Sequence, residues 1–146
     1  MNDNAIKQWL ALFCEANKSV KDFHQVLGGR LEPMPPNQAV LNFDTGLIKE
    51  ADFVLARDHD LTAPPMMLDL ILAPRADLRL KELEALWGRS DFVDEDVKRP
   101  RPADLVRFKK ITCNHRGDTE ILMQARVEKP ATRNSYVRSI SFAAVN

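Results

Sequence analysis

The chain lacks any hydrophobic run long enough to cross a membrane. Its longest apolar stretch, Met66 to Ala73, is short and carries Asp69 in its middle, whereas a span needs about 20 apolar residues. The first residues, Met1-Asn2-Asp3-Asn4, offer neither the basic nor the apolar segment of a secretory signal. Cysteine is scarce. Cys14 and Cys113 are far apart and do not make a disulfide framework, so free buried thiols in a reducing cytosol are the expectation. Glycine is scarce too, and each of the five glycines has a turn or cap explanation. That leaves no phosphate-cradling loop. No G-x-S-x-G or H-E-x-x-H pattern occurs. The net charge is zero, so no global field draws the protein onto nucleic acid or membrane.

What is present is a chain of 146 residues, the size of one domain, 1–146, with enough apolar residues for a core without staples. Ile6, Leu10, Phe13, Val20, Phe23 and Leu27 recur at helical spacing. Ser19 followed by Asp22 is a capping-box pattern, so the N-terminal helix is expected to break near Asn17 and restart at Val20. Residues 30–37, with Pro33, Pro35 and Pro36, read as an extended connector. Strands are expected at 39–43, 52–57 and 66–73, with Ala39, Leu41, Phe53, Leu68 and Leu70 facing inward and Asn42 and Asp69 outward. Residues 47–51 fit either an extension of the second strand or a helical turn. Asp77 is a plausible cap for a central helix over 78–87, whose buried stripe is Leu80, Leu83, Leu86 and Trp87.

Residues 89–103 place acids before bases among prolines, which reads as a solvated loop. Three strands close the chain, at 105–113, 119–129 and 136–145. Ile121, Met123, Ala125 and Val127 alternate toward the core. Short hairpin links favour antiparallel pairing. The expected class is α+β: an antiparallel sheet of about six strands, with an N-terminal helix and a central helix on one face.

The charge is uneven. Residues 1–100 hold 12 Lys+Arg against 17 Asp+Glu, a net of −5, and residues 101–146 hold 9 against 4, a net of +5. Arg107, Lys109, Lys110, Arg126, Arg133 and Arg138 make a candidate basic stripe. An RNA-binding sheet needs exposed aromatics for stacking. Phe108, Tyr136 and Phe142 are the aromatics there, and alternation sends them toward the core. A nucleic-acid partner is therefore disfavoured.

The acids gather in two loops, and Asp58, Asp60, Asp94, Glu95 and Asp96 are the candidate partner-binding residues. The expected function is a non-catalytic module that binds another protein, in its best-specified form a bacterial immunity protein that occludes a cognate toxin. Toxin nucleases present basic clefts, and complementary charge speeds and specifies association. Two alternatives stand beside it. Asp58-His59-Asp60 would supply a carboxylate-oriented imidazole for a small enzyme, or part of a metal site. Adjacent loop residues seldom converge, however, and no second ligand cluster exists. The other alternative is a secretion chaperone or assembly subunit pairing through strand edges. Cys113-Asn114-His115 is half a zinc pattern without its other half. No catalytic residue, metal or cofactor is assigned, the location is expected to be cytoplasmic, and the oligomeric state stays open.

Residues 78–146 resemble the helix-then-three-strand module of SmpA/BamE and beta-lactamase-inhibitor-like domains. Leu83-Glu84-Ala85-Leu86-Trp87-Gly88 and Tyr136-Val137-Arg138-Ser139-Ile140 carry the likeness. The resemblance implies protein binding and transfers no functional residue. In size and composition the whole chain is similar to bacterial immunity proteins.

Overall fold

The computed structural model describes residues 2–15, 17–95, 102–113 and 119–145. Three helices and nine strands follow in the order α1 (Asn2–Phe13), α2 (Val20–Leu27), β1 (Arg30–Met34), β2 (Gln38–Asn42), β3 (Ile48–Val54), β4 (Met67–Leu72), α3 (Leu80–Trp87), β5 (Asp91–Val93), β6 (Ala103–Arg107), β7 (Ile111–Cys113), β8 (Thr119–Glu128) and β9 (Val137–Val145). All strand pairings are antiparallel. The spatial order is β1-β2-β3-β4-β9-β8-β6-β5, with β7 also pairing β8.

The α+β class and antiparallel sheet agree with the expectation; nine strands replace about six, and the N-terminal helix is in two pieces, α1 and α2, with the restart at Val20. The proline-rich 30–37 segment forms β1, whose residues are nearly all exposed and so show no inward alternation. Pro33 is tolerated because an edge strand can turn a missing donor outward. The three-residue β5 arises inside the expected loop, and the expected 105–113 strand is two, β6 and β7, interrupted at 108–110.

The N-terminal break falls where the capping box lies. Ser19 N–H donates to Asp22 Oδ2 at 2.8 Å, and Asp22 N–H donates to Ser19 Oγ at 3.4 Å. The Ser19 N–H bond, together with a bond from Ser19 Oγ–H to Asp22 Oδ2 at 3.0 Å, pulls the Asp22 carboxyl below its usual value. The central helix starts later than expected, with Arg79 rather than Asp77 at its cap. Residues 78 and 79, just before α3, are held extended against 135–137: Val137 N–H donates to Leu78 O, and the Leu80 N–H at the start of the helix donates to Ser135 O.

Ile6, Trp9, Phe13, Phe23 and Leu83 are buried together with Leu41, Phe53, Leu70, Met123, Ile140 and Phe142. Each burial of such a side chain contributes about 1.5–3 kcal/mol. Aromatic rings knit helices to sheet, Phe23 against Phe53 at 5.1 Å and Trp87 against Phe142 at 5.9 Å. The cysteines are not free. Cys14, just past α1, is bonded to Cys113 at the end of β7, with Cα atoms 5.2 Å apart. Both ends sit on the same core layer, which sequence distance conceals. No helix among the described residues is long and apolar enough to cross a membrane.

Candidate functional site

The inward rows of β2, β3, β4, β8 and β9 are buried, so their alternate residues lie on the opposite face. The strand registers set those outward residues in rows across the sheet. One row reads Glu32, Val40, Asp52, Asp69, Ser141, Gln124, Arg107, Asp91. The next row toward the 55–66 loop reads Met34, Gln38, Val54, Met67, Ala143, Leu122. Polar and apolar rows therefore run side by side.

Over β1–β4 this face forms a shallow depression of about 470 Å³ whose lining includes Glu32, Glu50, Asp52 and Asp69 with Met34 and Met67. Asp52 on β3 lies directly opposite Asp69 on β4. Like charges directly opposed across strands are destabilising. Asp52 Oδ1 is buried and has no hydrogen-bond partner among the described residues. Burial first, then the Glu50 carboxylate beside it and Asp69 opposite, push the Asp52 carboxyl up to about 7. A hydrogen bond between Asp52 and Glu50 requires a shared proton, because two carboxylates are both acceptors. Burial also raises Asp69, with the Arg126 guanidinium pulling the other way. Raised carboxyls in a depression mark candidate functional positions.

The other half of the face is internally compensated. Arg126 grips Glu95 through two bonds, 2.7 and 2.9 Å. With its amide oxygen turned toward Arg107, Gln124 accepts from that guanidinium at 3.0 and 2.8 Å. Arg138 pairs with Glu128 and Arg133 with Glu84. Three of the six residues of the expected basic stripe, Arg126, Arg133 and Arg138, are thus paired with carboxylates, while Arg107, Lys109 and Lys110 stay exposed and charged. Phe108 and Phe142 are buried, and the Tyr136 ring is occupied by Arg79, 4.4 Å away.

The residues singled out in sequence do not converge. Asp58 is exposed on the loop between β3 and β4. Asp60, on the same loop, accepts from Thr62 N–H at 2.8 Å and Thr62 Oγ1 at 2.6 Å, which lowers its carboxyl. Asp94 is exposed just after β5, and Glu95 is held by Arg126. The registers send the two loops to opposite ends of the sheet. Asp96 and the Asn114-His115 part of the Cys-x-His pattern lie outside the described residues. His59 is exposed at φ 62°, and its ring makes no hydrogen bond or ion pair among the described residues. His24 Nε2 contacts Gly29 O at 3.1 Å, a structural role at the end of α2.

The carboxylate cluster was missed because its members are spread over residues 32–69. The available signal was alternation: Glu50, Asp52 and Asp69 occupy outward positions of strands whose inward residues are plainly apolar. Among the described residues no group of three His, Cys, Asp or Glu is placed to hold a metal ion. No known protein family matches the chain, and no curated protein or solved structure matches it either.

Proposed function

We propose that the protein is a non-catalytic protein-binding module of the immunity type, which neutralises a toxin by laying acidic surface over a basic active-site cleft. The observation that supports this reading is the outer face of the sheet. Over β1–β4 it carries Glu32, Glu50, Asp52 and Asp69 around one depression, while all three helices supply core to the other face. Asp58 and Asp94 add exposed charge at the ends of the sheet. A surface of this kind steers a cationic partner and rejects anionic ones.

The test is affinity capture from source cells with the full chain, followed by an activity assay of whatever is captured in stoichiometric amount. The expected result is a hydrolytic toxin with a basic cleft, inhibited by equimolar protein. Association should slow at high salt, as screening removes the steering. A captured partner whose activity is untouched, or no stoichiometric partner at all, overturns the immunity reading.

A further inference from the structure

Two properties of the outer face argue jointly for an occupant. First, the Asp52–Asp69 opposition and the unpartnered Asp52 Oδ1 leave an acceptor that no side chain of the described residues satisfies. A buried acceptor without a donor costs about 1–3 kcal/mol. Second, the row beside these carboxylates is apolar in Val54, Met67, Ala143 and Leu122, and Met34, at its β1 end, is 47% exposed. A small inorganic cation fits neither property. It would need ligands converging on one point, which the described carboxylates do not offer, and it gains nothing from an apolar row. A second copy of the chain is not favoured by charge. The guanidiniums on this face, Arg30, Arg107 and Arg126, are already engaged by Asp44, Gln124 and Glu95.

We propose that the outer face of β1–β4 docks a segment of a protein partner whose arginine or lysine side chain enters between Glu50, Asp52 and Asp69, with flanking apolar residues on the Val54–Met67–Ala143–Leu122 row. Adjacent strands lie about 4.8 Å apart, so one planar guanidinium reaches carboxylates on both β3 and β4. Its several donors fit carboxylate oxygens in pairs, and they supply the bond that Asp52 Oδ1 lacks. The flexible Met34 and Met67 side chains adapt to varied apolar neighbours. Pro33 blunts the free edge of β1, so the occupant is held by side chains on the face and not by adding a strand to that edge.

This inference rests on the binding-module reading, and its test separates the two. The full-length protein at pH 8 is titrated, with backbone amide NMR shifts as the readout. The probes are a short peptide alternating Arg with Leu and Val, the same peptide with Glu for Arg, and spermidine. The arginine peptide is expected to shift the amides of 50–54 and 67–71. The Glu peptide should shift none, and spermidine should bind far more weakly for want of apolar contacts. The double variant Asp52→Asn/Asp69→Asn should weaken arginine-peptide binding about tenfold or more, as removal of one side of a partly desolvated charge pair does. The variant Glu15→Gln, just past α1 and paired with Lys18, should leave it unchanged. Both variants are checked for native circular dichroism. Shifts confined to other strands, equal binding of spermidine, or an unaffected double variant overturn the inference. A toxin captured equally by wild type and the double variant keeps the immunity reading and sinks this docking surface. Peptide binding on β3–β4 without a toxin partner does the reverse.

Discussion

The substitution Asp52→Asn should stabilise the protein at pH 8 and do almost nothing near pH 4. Asp52 titrates about 7 in the folded chain against an ordinary 3.8. A carboxyl raised in this way binds more protons folded than unfolded between those two values. Stability therefore falls as pH rises from about 4 to about 7 and levels off above. The sign is opposite to that of a salt-bridged carboxylate. A shift of about 3 units would amount to about 4 kcal/mol at 1.36 per unit. Asp52 is only half-buried, and water screens its neighbours' charge, so about 1–2 kcal/mol is the realistic yield. At a chain length near 150 residues that is a rise of about 3–6 °C in Tm. Asparagine keeps the shape and supplies a donor to Asp69 or Glu50 while removing the repulsion. Thermal melts followed by circular dichroism at pH 4, 5, 6, 7 and 8 give the comparison directly. The gap between variant and wild type should open from about pH 4, reach half its size near pH 5.5 and level off above about 7. An Asn variant no more stable than wild type at pH 8, or one whose advantage is the same at every pH, refutes the reasoning. A carboxylate kept at such a cost is the usual signature of a site retained for something other than stability.

The Cys14–Cys113 bond closes a loop with a sequence separation of 99, and such a constraint is worth up to about 4–5 kcal/mol in the chain-entropy account. Reduction with a phosphine reductant should lower Tm by several degrees and expose two thiols to Ellman's reagent; an unchanged Tm after confirmed reduction removes the bond from the stability account. Ser19→Ala deletes the capping box at the start of α2 and should cost about 1 kcal/mol in chemical denaturation, whereas a cost near zero means the helix is held by Phe23 and Val20 alone. At Gly29, φ is +89° and an added Cβ would meet the Phe43 ring at 2.9 Å. Gly29→Ala should therefore destabilise by more than about 1 kcal/mol, and a neutral Ala variant would show that the Phe43 ring swings clear.

Much of the scaffold was legible because local signals and burial agree. The alternation in 121–127 and 68–72 named the buried face correctly, and Ser19 with Asp22 marked the helix break. What escaped has a physical reason in each case. Strand β1 earns its place by pairing with β2 and not by burying side chains, so no period-2 pattern announces it. Strand β5 is three residues long, too short for periodicity to show. The disulfide joins residues that only the helix-on-sheet layering brings together. The acids of 58–60 and 94–96 are dense in sequence, yet they leave the sheet at opposite ends. The acids of β1, β3 and β4 are sparse in sequence, yet the register stacks them.

Charge shows the same reversal on the scale of the whole chain. The balance of −5 over residues 1–100 and +5 over 101–146 suggested an acidic body and a basic sheet. In the fold, three arginines of the basic third are spent on carboxylates, Arg126 on Glu95, Arg133 on Glu84 and Arg138 on Glu128. Lys129 stands 3.9 Å from Asp104. Each pair cancels one charge of either sign, whereas Glu32, Glu50, Asp52 and Asp69 make no ion pair among the described residues. A neutral protein is left with an acidic patch on the face its helices do not cover. Only a partner that brings its own cation restores the pairing found elsewhere on the sheet.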